Sequence, residues 1–487
     1  VATSFGKRSS YDAVVVGAGP NGLSAGIVLA RAGLSTLLVE AHTTPGGGAR
    51  TAALTLPGFL HDVCSTVHPL GVASPFLRTL RLEQHGVTWC DPPLALAHVL
   101  RDGSAATLAR SVAETAKGLG EDEQAYLDLM SPLAARADEL LYELLGPLRL
   151  PRSPLLLAKF GLLGLGSLAG FARRHFSSEA AHALLAGMGA HAMQPLDAPA
   201  TASFGLVLAL AGHRAGWPVA RGGSQAITRA LVSIFEGSGG ELLLGHAVQS
   251  YADLPEAKAY LFDVTPRQLL HIAGTQLPLS YRQRLLRYRY GPGVYKMDWA
   301  LSGPVPWQDA RCAQAATVHL SGTLQDVTEA EAAPHRGEIA RRPFVIFVQP
   351  SLFDATRAPP GQHTAWAYCH VPWGSRADAS SLIEEQVERA APGFRELVLA
   401  RSALGTEELE RYNANYVGGD INGGSALLSQ LFTRPVARLD PYSTPAPHIF
   451  LCSSSTPPGG GVHGMCGYWA AASALRQRFG KRAPPLM

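Results

Sequence analysis

The spacing of apolar residues changes character twice near the start of the chain. The run YDAVVV, from Tyr11 to Val16, is continuously apolar from Ala13 and reads as a short buried strand. Helical spacing follows from Gly22 to Ala32, Gly33 stops it, and Thr36 to Val39 forms a second buried run. Strand, Gly-rich turn, helix and strand are the opening of a βαβ unit. From about Ser111 to His213, Leu, Ala and charged residues recur at helical spacing, which predicts a helical insertion rather than more of the sheet. Arg221 to Gly240 gives a Gly-rich start, a helix and a Gly stop, and the strand-like ELLLGHAVQSY and YLFDVTP then resume the first sheet. Between Tyr288 and Tyr416 the pattern turns to period two, as in GVYKMDWAL, PFVIFVQPSLF and HTAWAYCHV, which suits a sheet with one face toward a cavity.

Composition narrows the class. With 487 residues, 47% of them hydrophobic and 16% charged, the chain is long enough for a main domain with insertions. Forty-one Lys and Arg against 38 Asp and Glu leave a formal charge of +3, too balanced to imply a nucleic-acid partner. Cys64, Cys90, Cys312, Cys369, Cys452 and Cys466 form no CxxC pair, so neither a zinc site nor a thiol redox pair is spelled out. The first strand begins almost at the amino terminus, and the expectation is a cytoplasmic protein with reduced thiols. Nothing in the sequence specifies an oligomeric state.

Chemistry enters with the first turn. Gly17, Gly19 and Gly22 form GxGxxG directly after a strand, and with Pro20 and Asn21 they open a helix whose start suits a pyrophosphate. Glu40 closes the second strand, where a carboxylate accepts hydrogen bonds from ribose hydroxyls and disfavours an additional phosphate. NAD and FAD both fit so far. The next turn, PGGGARTA, favours FAD, because Gly46, Gly47 and Gly48 permit a second close backbone approach and Arg50 can offer charge near the diphosphate.

The run from Val14 to Thr51 resembles the start of the amine oxidase and phytoene desaturase superfamily, in which the dinucleotide motif is joined to a Gly-Gly pair after the acidic residue. The far end agrees: Ile449 to Ala472, IFLCSSSTPPGGGVHGMCGYWAA, resembles the closing flavin motif of phytoene-desaturase-like proteins. That resemblance implies flavin contacts at Gly460, Gly461 and Val462, with Ser454 in the region where relatives carry a Gly-Asp pair, and an adenine contact at Val248. The resemblance is nearest to bacterial phytoene-dehydrogenase-like proteins and to proteins named for a pyridine nucleotide-disulfide oxidoreductase domain, although no second complete GxGxxG is present. The expected fold class is therefore α/β: a discontinuous Rossmann-type FAD-binding domain (10–75, 216–285 and 433–480), a helical cap (76–215) and a β-rich substrate domain (286–432).

The superfamily moves a hydride from a carbon to flavin, so proton-managing residues are the next candidates. His463 lies within the closing motif, and His61 and His68 lie in HDVCSTVHP shortly after the Gly-Gly turn; the alternative for each is a structural hydrogen bond to backbone. Lys296 resembles the lysine that amine oxidases use to hold a water near flavin, yet strand alternation puts it on one face with Asp298, which predicts an ion pair equally well. Trp366, Tyr368 and His370 share a strand face that can line an elongated site or pack as core, and Asn422 sits among Gly pairs that allow close approach to substrate or ring.

The stretch LLLAKFGLLGLGSLAGFARRHF, apolar from Phe160 to Ala172, is too short to span a bilayer, which takes about 20 residues. It reads first as a buried core helix; the alternatives are a peripheral membrane contact through residues 155–175 or the lip of an apolar substrate tunnel. The leading functional expectation is an FAD-dependent dehydrogenase or desaturase for a small apolar, isoprenoid-like substrate, with dioxygen or quinone as electron acceptor. An amine-type oxidase, a redox-neutral flavin isomerase and an FAD-retaining binding or assembly protein are the competing readings.

Overall fold

The computed structural model describes residues 8–486. Its first sheet is parallel throughout, in the order Ile449–Leu451, Glu256–Phe262, Ser10–Val16, Thr36–Val39, Glu241–Leu243. Ser10–Val16 lies in the middle, with Val14 opposite Leu37 on one side and Tyr260 on the other. Burial on both faces explains why these strands read as unbroken apolar runs rather than alternating ones. Residues from both ends of the chain thus complete one dinucleotide-type sheet, as the two motifs imply.

Helix Pro20–Arg31 leaves the turn after the central strand with no side-chain cap at Gly19, and packs against the carboxy-terminal helix Met465–Phe479. Two glycines make this geometry achievable. A Cβ on Gly22 would fall 1.9 Å from the Gly17 carbonyl oxygen, and one on Gly467 would fall 1.9 Å from that of Asn21.

The second sheet has seven strands in the order Val398–Leu404, Gly293–Leu301, His363–Val371, Val345–Val348, Ala315–Leu320, Leu94–Val99, Ala105–Ala109. All neighbours are antiparallel except Ala315–Leu320 beside Leu94–Val99. One face carries Met297, Trp299, Ala367, Phe347 and Val318 into a core closed by Ile383 and Val387 of helix Ser380–Ala390 and by Phe394. The other face looks toward the cap, which accounts for the period-two pattern.

The cap differs from the sequence reading in two respects. Residues 94–109 are not helical but add a hairpin to the large sheet, because LALAHV and AATLA flank the Asp102-Gly103 turn, where Gly103 has φ +85°. Apart from the single turns Leu77–Leu80 and Leu82–His85, the helices of the cap begin at Val112 and run to Thr201–Ala215. The apolar stretch expected as one buried core helix is broken into Pro154–Gly164 and Leu168–His175, bent by 97°. Only Leu156, Phe160 and Gly164 of the first are buried, while Leu155 and Leu162 are 86% and 89% exposed, so the buried-helix expectation is corrected for that half; Leu168, Ala169, Phe171 and Ala172 of the second are buried. A helix with apolar residues all round has nothing to cover its outer face here. No single helix among the described residues is long and apolar enough to cross a membrane.

Gly22→Ala is expected to destabilise the protein by about 3 kcal/mol or more, since backbone must shift to admit the methyl group. Arg31→Ala, at an exposed position of the same helix, should stay within about 0.5 kcal/mol. Urea midpoints of the two variants test this, and an unchanged midpoint for Gly22→Ala would refute the close-packing argument.

Candidate active site

The carboxyl ends of the parallel strands open onto a cavity of about 1070 Å³. Gly17, Gly19, Pro20, Asn21, Glu40, Gly47, Gly48, Arg50, Val248, Ser454, Gly460, Gly461 and Val462 all line it, so residues far apart in sequence converge as the motifs imply. Gly22 lies behind this wall and serves packing. Glu40 is held by backbone: its carboxylate accepts from Ala18 N at 2.8 Å and His42 N at 2.9 Å, and pairs with Arg50 at 3.3 Å. Arg50, expected to face a diphosphate, is thus first a partner of Glu40, with its guanidinium 5.3 Å from the Tyr412 ring centre.

Two residues not anticipated from the sequence join this end. Asp263 follows strand Glu256–Phe262 and accepts from the Gly22 amide at 2.9 Å; burial, reinforced by Glu40, lifts its carboxyl to about 7. Its place at the end of the strand in YLFDVTP was the available signal. Arg434 is buried and donates to the carbonyls of Ser454, Gly424 and Ser425, and no sequence pattern marked it.

The fit to a dinucleotide rests on the groups left over. Asn21 Oδ1, Arg50 Nε and Arg434 Nε are buried, belong to lining residues and have no hydrogen-bond partner among the described residues. Buried polar groups are ordinarily paired. Two guanidinium N–H donors and an amide, beside a helix start without a side-chain cap, suit an anionic dinucleotide with amide-bearing rings.

The catalytic candidates divide by surroundings. His463 lines the cavity, but its Nδ1 accepts from Met465 N at 3.1 Å, and burial pushes its pKa down to about 4 against the pull of the Gly460 and Gly459 carbonyls. It is a neutral imidazole that pins the closing turn. His68 also lines the cavity; its Nε2 meets Ser224 Oγ at 2.9 Å, and burial brings it to about 4. His61 does not line the cavity, bonding Thr55 at 2.8 Å with Nδ1 3.4 Å from Asp298. Lys296 forms the ion pair that strand alternation predicts, 2.5 Å from Asp298, with its Nζ 4.8 Å from the Trp366 ring centre and outside the cavity lining.

Trp366 and Tyr368 line the cavity with rings stacked at 5.8 Å and 14°, and Trp366 donates to Thr66 at 2.8 Å. His370, on the same face, is turned instead to Glu331 at 2.8 Å and does not line the cavity. Asn422 is in the wall. Asp62, next to His61, is the anchor of a buried network: Arg357 pairs with Asp62 at 2.9 Å and Asp354 at 2.8 Å, and holds the Asp62 carboxyl below the usual carboxylate range against the burial that raises it. Beyond the aromatic pair the cavity continues between Leu157, Phe160, Phe204, Val207, Ile346 and Val348.

Strand order and cavity together define the fold class, a dinucleotide-type α/β fold with a second, mostly antiparallel sheet, which solved putrescine oxidase and cyclohexylamine oxidase also have. The NAD(P)-binding Rossmann-like domain family matches residues 15–80. Along nearly the whole chain the protein is similar to pyridine nucleotide-disulfide oxidoreductase domain-containing protein 2 of Mus musculus, 27% identical over 96% of this chain and 94% of that one. A shorter part, 21% of this chain and 20% of the relative, is 41% identical to hydroxyneurosporene desaturase of Rhodobacter capsulatus. Among solved structures, putrescine oxidase bound to putrescine superposes with a TM-score of 0.61 over 96% of this chain and 98% of that one, at 17% identity.

Histidines whose pKa the fold lowers set the pH response. Burial holds His68, His98 and His463 at about 4 and His191 at about 3, so between pH 6.5 and 4 the unfolded chain takes up protons that the fold refuses. Stability falls with pH through that window, by on the order of 2 kcal/mol per histidine at pH 5. Asp263, raised to about 7, works in the opposite sense and offsets about one of the four. The melting temperature should drop by several degrees between pH 7 and pH 5; a flat or rising profile would contradict these assignments.

Proposed function

We propose that this chain is an FAD-dependent dehydrogenase or desaturase that oxidises an elongated, apolar, isoprenoid-like molecule and passes the electrons to quinone or dioxygen. The observation that carries this reading is continuity: the dinucleotide wall and the apolar chamber belong to one cavity. When bound, FAD supplies the two-electron acceptor.

The protein's own contribution is to bind and exclude. Glu40 and Val248 would hold the nucleoside end, the Pro20–Asn21 helix start and Arg434 the charged middle, and Gly460 to Val462 the ring. Trp366 and Tyr368 present a flat aromatic wall, and the apolar chamber keeps water from the reacting carbon. His68, neutral at physiological pH, keeps Nδ1 without a partner among the described residues beside the wall, whereas His463 is engaged with backbone on both sides of its ring. The apolar residues beyond the aromatic pair, Leu157, Phe160, Phe204, Val207, Ile346 and Val348, support a hydrocarbon-like substrate over an amine.

The purified protein should show flavin absorption and release FAD on acid treatment. Anaerobic addition of an apolar alkene substrate should bleach the flavin band, whereas amines should not. Bleaching by amines with hydrogen peroxide release would replace this reading by an amine-type oxidase. Flavin needed in reduced form without net turnover would replace it by an isomerase, and flavin that no substrate panel reduces by a binding or assembly role. Absence of FAD binding would overturn the reading altogether.

We further propose that the protein is cytoplasmic and visits an anionic membrane surface through the broken helix pair. Leu148, Leu150, Leu155, Leu162 and Leu165 are exposed there. Residues 144–178 contain no Asp or Glu but include Arg149, Arg152, Lys159, Arg173 and Arg174. Exposed apolar side chains flanked by cations complement the headgroup region of an anionic bilayer. Leu148 and Leu165 also line the cavity, so it reaches the surface within this patch, where an apolar substrate could leave lipid. The protein is expected to float with vesicles containing phosphatidylglycerol and several-fold less with Leu155→Ser/Leu162→Ser; sedimentation away from anionic vesicles would sink the idea.

A further inference from the structure

The large sheet carries side chains across the cavity in register. Trp366, Val348 and Thr317 are paired neighbours on three successive strands, as are Tyr368, Ile346 and His319 on the next row. Paired residues project to the same face. Trp366 marks the dinucleotide end, because it bonds Thr66 in the segment whose Ser65 amide meets the Gly48 carbonyl. Thr317 therefore lies two strand spacings away, about 10 Å across the sheet, with apolar Val348 and Ile346 between the two ends.

At that far end the lining stops being apolar. Thr317, Trp217 and His191 all face the cavity. Thr317 Oγ1 and Trp217 Nε1 are buried and have no hydrogen-bond partner among the described residues, although both residues are about nine-tenths or more shielded from solvent. An indole N–H only donates, and leaving such a donor unmatched costs about 1–3 kcal/mol. His191 packs edge-on to the Trp217 ring at 5.9 Å and is hydrogen-bonded to His319 at 3.1 Å, so its ring is held in place. The charged lining residues lie elsewhere: Glu40, Arg50, Asp263 and Arg434 with the dinucleotide motifs, and Glu143 and Arg149 paired with each other at 3.4 Å in the helical lip.

We propose that Trp217, Thr317 and His191 form a polar recess for one uncharged oxygen, a carbonyl, hydroxyl or ether, on an otherwise apolar substrate, and that this contact sets which carbon reaches the dinucleotide end. The proposal rests on reading this cavity as the substrate site. The recess offers an indole N–H and a hydroxyl that a pure hydrocarbon would leave unpaired. A charged head group would meet no counter-ion there, and burial keeps His191 neutral, at about 3. Specificity of this kind comes from the cost of unpaired buried donors as much as from the bond gained.

The test compares 2-decanone with decane on the FAD-loaded protein, by vapour partition into protein solution, with the carbonyl stretch of bound ketone read by infrared difference. The native protein is expected to prefer the ketone by roughly tenfold, the worth of about one hydrogen bond, with the carbonyl band shifted to lower frequency. In Trp217→Phe, Thr317→Val and the double variant the preference should fall stepwise toward unity, because each replacement removes a donor and the ketone-to-decane ratio cancels the space that the smaller phenyl ring opens for both ligands. Equal binding of both ligands by the native protein, or a preference that survives in the double variant, overturns the recess and leaves the apolar site standing. Binding of neither ligand overturns the apolar-site reading and the recess with it.

Discussion

Everything in this protein hangs on one constraint: the chain must return twice to a parallel sheet whose central strand, Ser10–Val16, was laid down first. A parallel pair needs a crossover, and here the crossovers have been expanded into whole layers. The segment between Thr36–Val39 and Glu241–Leu243 supplies the cap and one hairpin of the large sheet; that between Glu256–Phe262 and Ile449–Leu451 supplies the rest of it. Because all five strands point the same way, both insertions leave from and come back to the same sheet, and the cavity forms over its carboxyl edge. The glycines of the first turn and of the last helix let the two ends of the chain approach closely enough to share that edge.

A second layer of order comes from buried polar groups. Asp62, Arg357 and Asp354 tie the segment after the Gly-Gly turn to the large sheet's periphery, with Asp62 also accepting from Thr51 and the Ser224 amide. Breaking a buried pair of this kind by removing one partner usually costs 3–5 kcal/mol, so the network specifies where the loop bearing His61 and His68 lies. The neutral histidines act differently. His191 at the far end of the cavity, with His319 and His98 packed behind it, supplies uncharged hydrogen-bonding groups there. Polar ends with an apolar middle are what give the chamber a direction.

Much of this was legible in the residues. GxGxxG after YDAVVV, Glu40 and PPGGGVHG each encode a local backbone shape, and local shape is what short sequence patterns specify. Strand alternation likewise placed Lys296 with Asp298, and Trp366 with Tyr368, on common faces. The reading erred where burial decides. LALAHV joins the large sheet through a strand more than 200 residues away, which leaves no local trace, and AATLA follows it as the edge strand; around Leu162 apolar composition does not say which side is covered.

The sequence by itself determined the dinucleotide-binding edge, since tight turns, helix starts and a strand-end carboxylate are local geometry written in residue type and spacing. Only the tertiary structure decided what faces the rest of the cavity. It turned His370 to Glu331 and Lys296 to Asp298, drew Asp263 and Arg434 to the dinucleotide end, and left Trp217 and Thr317 as unpaired donors at the other. The physical reason is that pairing and burial are properties of neighbours in space, and in this chain those neighbours come from insertions hundreds of residues apart.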